Sequence, residues 1–165
     1  KLQREPVDVE SLLRQVSSQF SHYTDREIAV ECEVKSCSAD HHYLHRALSN
    51  VVQNAIDHGE KNEAIRIEAY REQETVCFDV SNPGEIDRQN SQRFFDRLYR
   101  DDGSRTSGGT GLGLPITRAI MRLHGGDAAV RQIGKRTHLF LTLADDPGDG
   151  DETTPEQHAS SPPVR

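Results

Sequence analysis

Between Tyr43 and His58, the apolar residues Leu44, Ala47, Leu48, Val51, Val52, Ala55 and Ile56 recur with the 3.6-residue period of an α-helix, and Gly59 follows where a C-terminal cap belongs. The spacing predicts a helix with a broad buried stripe. The segments around it carry other periods. Val9, Leu12, Leu13, Val16 and Phe20 predict an earlier helix over 7–20 with Asp8 as its cap, and Ile28, Val30, Cys32 and Val34 alternate as a half-buried strand does. After the central helix, Ile65, Ile67 and Ala69 and then Val76, Phe78 and Val80 alternate on either side of a Glu72-Gln73-Glu74 turn. Leu112, Ile116, Ala119, Ile120 and Leu123 predict a third helix ended by Gly125-Gly126, and strands over 128–133 and 137–143 turn at Gly134-Lys135.

The order of these elements fits an α+β fold, a two-layer sandwich in which three helices cover one face of a mixed, mostly antiparallel sheet of about five strands. The stretch from Pro83 to Gly109 is polar and glycine-rich, interrupted by Phe94, Phe95, Leu98 and Tyr99. A compact domain keeps so long a connection for function, and it is expected to be a lid over about 85–108. The expected folded body is 1–144. Residues 145–165 are expected to form a disordered acidic tail, since they hold six acids against Arg165 and no helix or strand pattern.

That tail accounts for -5 of the net charge of -7, which leaves the body of this 165-residue chain nearly neutral. A near-neutral body argues against nucleic acid as a partner, because phosphate backbones are bound by basic stripes. Cys32, Cys37 and Cys77 lack metal-ligand spacing and read as free thiols. No apolar run approaches the roughly 20 residues that a bilayer crossing needs. The chain is expected to be a soluble fragment of a longer protein.

Three clusters carry chemistry. On the central helix, Asn50, Asn54, Asp57 and His58 share one face, with Asn54 and His58 at the border of the apolar stripe. An asparagine carbonyl there suits a magnesium ion that also binds phosphate oxygens; the plainer reading is a pair of helix-flank amides. Asn82, by strand parity, points with Val76, Phe78 and Val80 toward the core layer, where it could meet the edge of a purine; Asn-Pro-Gly is equally a turn signal. Gly108-Gly109-Thr110-Gly111-Leu112-Gly113-Leu114 leads into the third helix, where glycines and free N–H groups favour a polyphosphate. A P-loop would need Gly-Lys-Ser/Thr, which is missing.

Taken together and in order, these segments resemble the catalytic ATP-binding domain of bacterial two-component sensor histidine kinases, within the superfamily that includes gyrase and a heat-shock chaperone and shares the Bergerat-type fold. The resemblance covers roughly 6–144. Residues 48–56 look like the N box, Asn82-Pro83-Gly84 the G1 box, Phe94 to Arg100 the F box and Gly109 to Leu114 the G2 box. The wording of the G1 and F boxes is similar to the heavy-metal sensor branch. The resemblance implies ATP and Mg2+ as cofactors, with Asn54 as the metal ligand and Asn50 in support. It places Asn82 and Gly84 at the adenine, Gly109, Thr110, Gly111, Leu112 and Gly113 along the phosphates, and Asp57, His58, Arg97, Tyr99 and Arg100 around the nucleotide.

The resemblance implies further that the γ-phosphate goes to a histidine in a separate dimerisation domain, and from there the signal passes to a response regulator. None of the eight histidines lies in an acceptor-type segment. The parent is expected to be a membrane-bound homodimer, and this domain cytoplasmic and monomeric by itself. Three positions depart from the pattern: Asn82 stands for the common aspartate, Glu85-Ile86 replace a second G1 glycine, and Asp57 occupies a site often basic. Two other functions stay open, an ATP-hydrolysing conformational machine and a degenerate nucleotide-binding module. The first usually needs a glutamate where Asn50 stands.

Overall fold

The computed structural model describes residues 1–58, 60, 62–86, 91–96 and 113–145. In chain order, β1 (Glu5–Asp8) runs into α1 (Val9–Phe20), followed by β2 (Ile28–Cys32), β3 (Ser36–Ala39) and α2 (His41–His58). Then come the hairpin β4 (Ile65–Glu72) and β5 (Thr75–Pro83), a 3-10 turn over Ser91–Phe95, α3 (Gly113–Leu123), and the hairpin β6 (Ala128–Ile133) and β7 (Arg136–Ala144).

Five strands form one sheet in the order β2-β4-β5-β7-β6. Only the β2–β4 pair is parallel, because α2 carries the chain across between them; the other three pairs are antiparallel. Alternate residues on the inner face, Ile65, Ile67, Val76, Phe78, Val80, Leu139, Leu141 and Leu143, are wholly buried and join Leu12, Leu13, Val16, Leu44, Leu48, Val51 and Met121 of the helices in one core. The two-layer α+β architecture expected from the order of elements is the one observed.

Among the described residues no helix covers the outer face of the sheet, yet Cys77, Asp79 and Ser81 of β5 are also buried. Their cover is lateral. His138 on β7 lies 2.8 Å from the Asp79 carboxylate, and Arg136 donates to the Ser81 carbonyl and hydroxyl. Burial pushes the Asp79 carboxyl above its ordinary range, an effect that the His138 hydrogen bond partly offsets.

Several boundaries differ from those read in the sequence. Val7 belongs to β1, and α1 starts at Val9 with the Asp8 carboxylate accepting from the Ser11 amide at 2.8 Å. The central helix starts two residues earlier, at His41. β1 and β3 were not anticipated; they pair with each other in a separate antiparallel ribbon. Asp145, counted with the tail in the sequence, is tied into the body: its amide donates to Glu74, its carboxylate accepts from the Ser38 amide at 2.7 Å, and it pairs with Arg71. The rest of the expected tail, 146–165, lies outside the described residues.

Candidate nucleotide site

The site grows from the last three turns of α2. Asn50 and Asn54 are half-buried, as expected of residues at the border of a core-facing stripe. Asn50 donates from Nδ2 to the Gly113 carbonyl at 3.1 Å and to the Thr117 hydroxyl at 3.3 Å, and so fastens the first turn of α3 to the middle of α2. Thr117 is fully buried and donates in turn to the Gly113 carbonyl at 2.9 Å. Among the described residues, no hydrogen bond falls on the Asn54 amide. Asp57 turns along the flank of the helix, where its carboxylate accepts from Gln53 at 2.9 Å.

The end of β5 meets the end of α2. Asn82 is 5% exposed and its Nδ2 bonds the Pro83 carbonyl at 3.1 Å, while its Oδ1 takes no hydrogen bond among the described residues. Gly84 has φ +133°, a backbone state that glycine alone adopts without strain, and a Cβ there would lie 3.9 Å from the His58 carbonyl and 4.0 Å from the Asn82 amide. The turn is held from both sides. Glu60 donates to Pro83, Gly84 donates to Lys135, and Thr137 and Gln132 both donate to the Gly84 carbonyl. Arg136 and Arg26 hold the approach: the first donates to Ala64 and Ser81, the second to Glu63 and to Ala55 in the last turn of α2.

The structure therefore brings His58, Asn82 and Gly84 together at one corner, and Asn50 and Gly113 together about two turns away along α2. The expected phosphate and lid residues Arg97, Tyr99, Arg100, Gly109, Thr110, Gly111 and Leu112 lie outside the described residues. Of the F box, Phe94 and Phe95 are half-buried against the core, and Arg118 of α3 stacks over the Phe95 ring at 5.3 Å. Sequence reasoning missed Thr117, Gln132 and Thr137. A threonine inside the buried stripe of α3 was a visible signal for the first; the other two depend on the β5–β7 register, in which Asn82 faces Thr137.

A bound nucleotide fits these donors and acceptors: a buried amide with a spare acceptor, a positive-φ glycine turn that leaves space beside it, and a neutral carbonyl oxygen on α2. The model of the family described as histidine kinase-, DNA gyrase B- and HSP90-like ATPase matches residues 39–147, which spans every element from α2 to β7. The chain belongs to this family. Membership of the histidine kinase-, gyrase- and HSP90-like ATPases carries nucleotide use with it. Among relatives, the chain is 36% identical over 135 residues to the sensor protein CzcS of Cupriavidus metallidurans, covering 78% of this chain and 28% of CzcS. Among solved structures, full-length ShkA in complex with AMPPNP matches with a TM-score of 0.76 and 27% identity over 88% of this chain and 32% of ShkA. Histidine kinase ThkA in complex with the response regulator protein TrrA shares the fold, with a TM-score of 0.74 and 22% identity over 90% of this chain and 43% of that one. The chain spans between a fifth and a third of the length of curated relatives such as these.

Proposed function

We propose that this chain is the ATP-binding catalytic part of a membrane-bound, homodimeric sensor histidine kinase, and that it presents the γ-phosphate to a histidine on a separate dimerisation domain of the same protein. The histidine then supplies a response regulator. The observation that carries this reading is the state of the two asparagines on α2: Asn50 is committed to holding α3, while the Asn54 amide takes no hydrogen bond among the described residues. In this reading Asn54 ligates Mg2+, Asn82 accepts from the adenine amino group, and Gly84 leaves room for the ring. When bound, Mg2+ neutralises phosphate charge; the chain's own work is positioning.

An ATP-hydrolysing machine would need a carboxylate to activate water, and the position that would hold it is an amide engaged as a donor to Gly113. Relatives named as sensor histidine kinases and the ShkA complex with AMPPNP support the transfer reading. The test is incubation with γ-labelled ATP, alone and with the dimeric acceptor segment of the parent protein. The expected outcome is neither self-labelling nor appreciable phosphate release alone, and labelling of the added segment. Transfer in trans should be weak, since separation lowers the acceptor from the roughly millimolar effective concentration of a tether. Rapid phosphate release by the chain alone would favour the hydrolase.

A further inference from the structure

His124 closes α3 and is completely buried, yet it stands well away from the nucleotide corner. Its ring sits between two backbone groups of opposite character. Nδ1 lies 2.8 Å from the Ile120 carbonyl, which only accepts, and Nε2 lies 3.0 Å from the Asp40 amide, which only donates. These neighbours select the neutral ring with its proton on Nδ1. A proton on Nε2 would point at the Asp40 N–H.

Asp40 extends the connection in two directions. Its carbonyl accepts from Leu44 at 2.9 Å and its Oδ1 from Tyr43 at 3.2 Å, so it caps the start of α2. Its Oδ2 accepts from the Gln3 amide at 3.0 Å, so it also holds the segment entering β1. At the opposite end of α3, the Gly113 carbonyl is held by Asn50 of α2. α3 is thus fastened at both of its ends, once to Asn50 in the middle of α2 and once to Asp40 at the start of α2 beside the entering segment. Sliding α3 along α2 would break one fastening or the other.

We propose that His124 is a positioning residue for nucleotide binding: acting through Asp40, its neutral ring sets the register of α3 on α2 and joins the segment entering at Gln3 to the phosphate end of the site at Gly113. The proposal rests on the nucleotide reading above for its binding consequence, and on the ring geometry alone for the fastening. A deformation arriving at Gln3 then reaches Gly113 through Asp40, His124 and the rigid length of α3.

The experiment uses the whole chain and three variants, H124Q, H124L and Q3P. Side-chain 15N NMR at pH 7 should find the His124 proton on Nδ1, with Nε2 accepting. H124Q, whose amide can both donate to Ile120 and accept from Asp40, should bind a non-hydrolysable ATP analogue with magnesium within about threefold of the parent. H124L should bind roughly tenfold more weakly and exchange amide protons faster in the first turn of α3, in the range expected for coupling between sites. Q3P removes the part-buried N–H that Gln3 donates to Asp40, at a residue whose side chain is exposed, and should weaken the analogue about threefold with little change in Tm. If H124L does not fold, H124Q, Q3P and the NMR spectrum still decide the matter. A ring protonated on Nε2, or a folded H124L with parental affinity and exchange, would overturn the fastening; parental affinity in Q3P would overturn the link to the entering segment. Should the parent chain itself fail to bind the analogue, the nucleotide reading fails, while the tautomer and the α3 exchange rates still test the fastening independently.

Discussion

Asn50 and Asn54 are one helical turn apart and chemically identical, and their surroundings give them different work. Asn50 spends its donors on Gly113 and Thr117; the Asn54 amide makes no hydrogen bond among the described residues. Replacing Asn54 by alanine should therefore abolish magnesium-dependent ATP binding and leave Tm within about 2 °C, because no described partner is orphaned. Calorimetric titration and thermal melts of one preparation check both halves, and unchanged affinity would remove the metal role. The shared helix face of the two residues was legible from 3.6-residue spacing alone. Their division of labour was not, because it depends on Gly113, which is distant in sequence and is brought close only by the α2–α3 packing. The same holds for Asp57, whose side chain settles on Gln53 for reasons of rotamer and reach that periodicity does not encode.

Among the elements, the three helices and the two hairpins carry their own signals, stripes and alternation bounded by turn residues, and they stand within three residues of where those signals place them. β1 and β3 carry none. Glu5-Pro6-Val7-Asp8 and Ser36-Cys37-Ser38-Ala39 are short and polar, and they exist as strands because each supplies the other's backbone partners. The end of α3 is legible for a different reason. Gly125, with φ +78°, follows His124, and Gly126 donates back to Met121 at 2.9 Å, the reversal that a glycine pair permits. Gly126 has a second constraint that no local pattern reveals: a Cβ there would lie 1.8 Å from the Thr142 carbonyl of β7. Gly126→Ala should cost about 3 kcal/mol or more, since backbone rather than a side-chain tip would have to move. Urea denaturation measures it, and a loss below about 1 kcal/mol would contradict the close approach.

For the whole molecule, the layered architecture was legible because the order of periods admits few arrangements, whereas the edge of the body was misplaced by a residue. Asp145 looks like the first acid of a polar tail, but its charge is neutralised by Arg71 and its oxygens are taken by the chain. Composition alone does not distinguish a solvated carboxylate from one that staples β3 to the end of β7. The same staple puts the two ends of the folded body side by side: Arg4 donates to the Ala144 carbonyl at 3.2 Å, across nearly the full length of the domain in sequence. Start and finish of the fold are therefore interchangeable with a new cut elsewhere. A circular permutant that joins residue 145 to residue 1 through a short Gly/Ser linker and opens the chain at the exposed Gln73-Glu74 turn should fold with the parental circular-dichroism spectrum and bind the ATP analogue. It would then enter β5 directly and leave through β4, with the nucleotide corner unchanged.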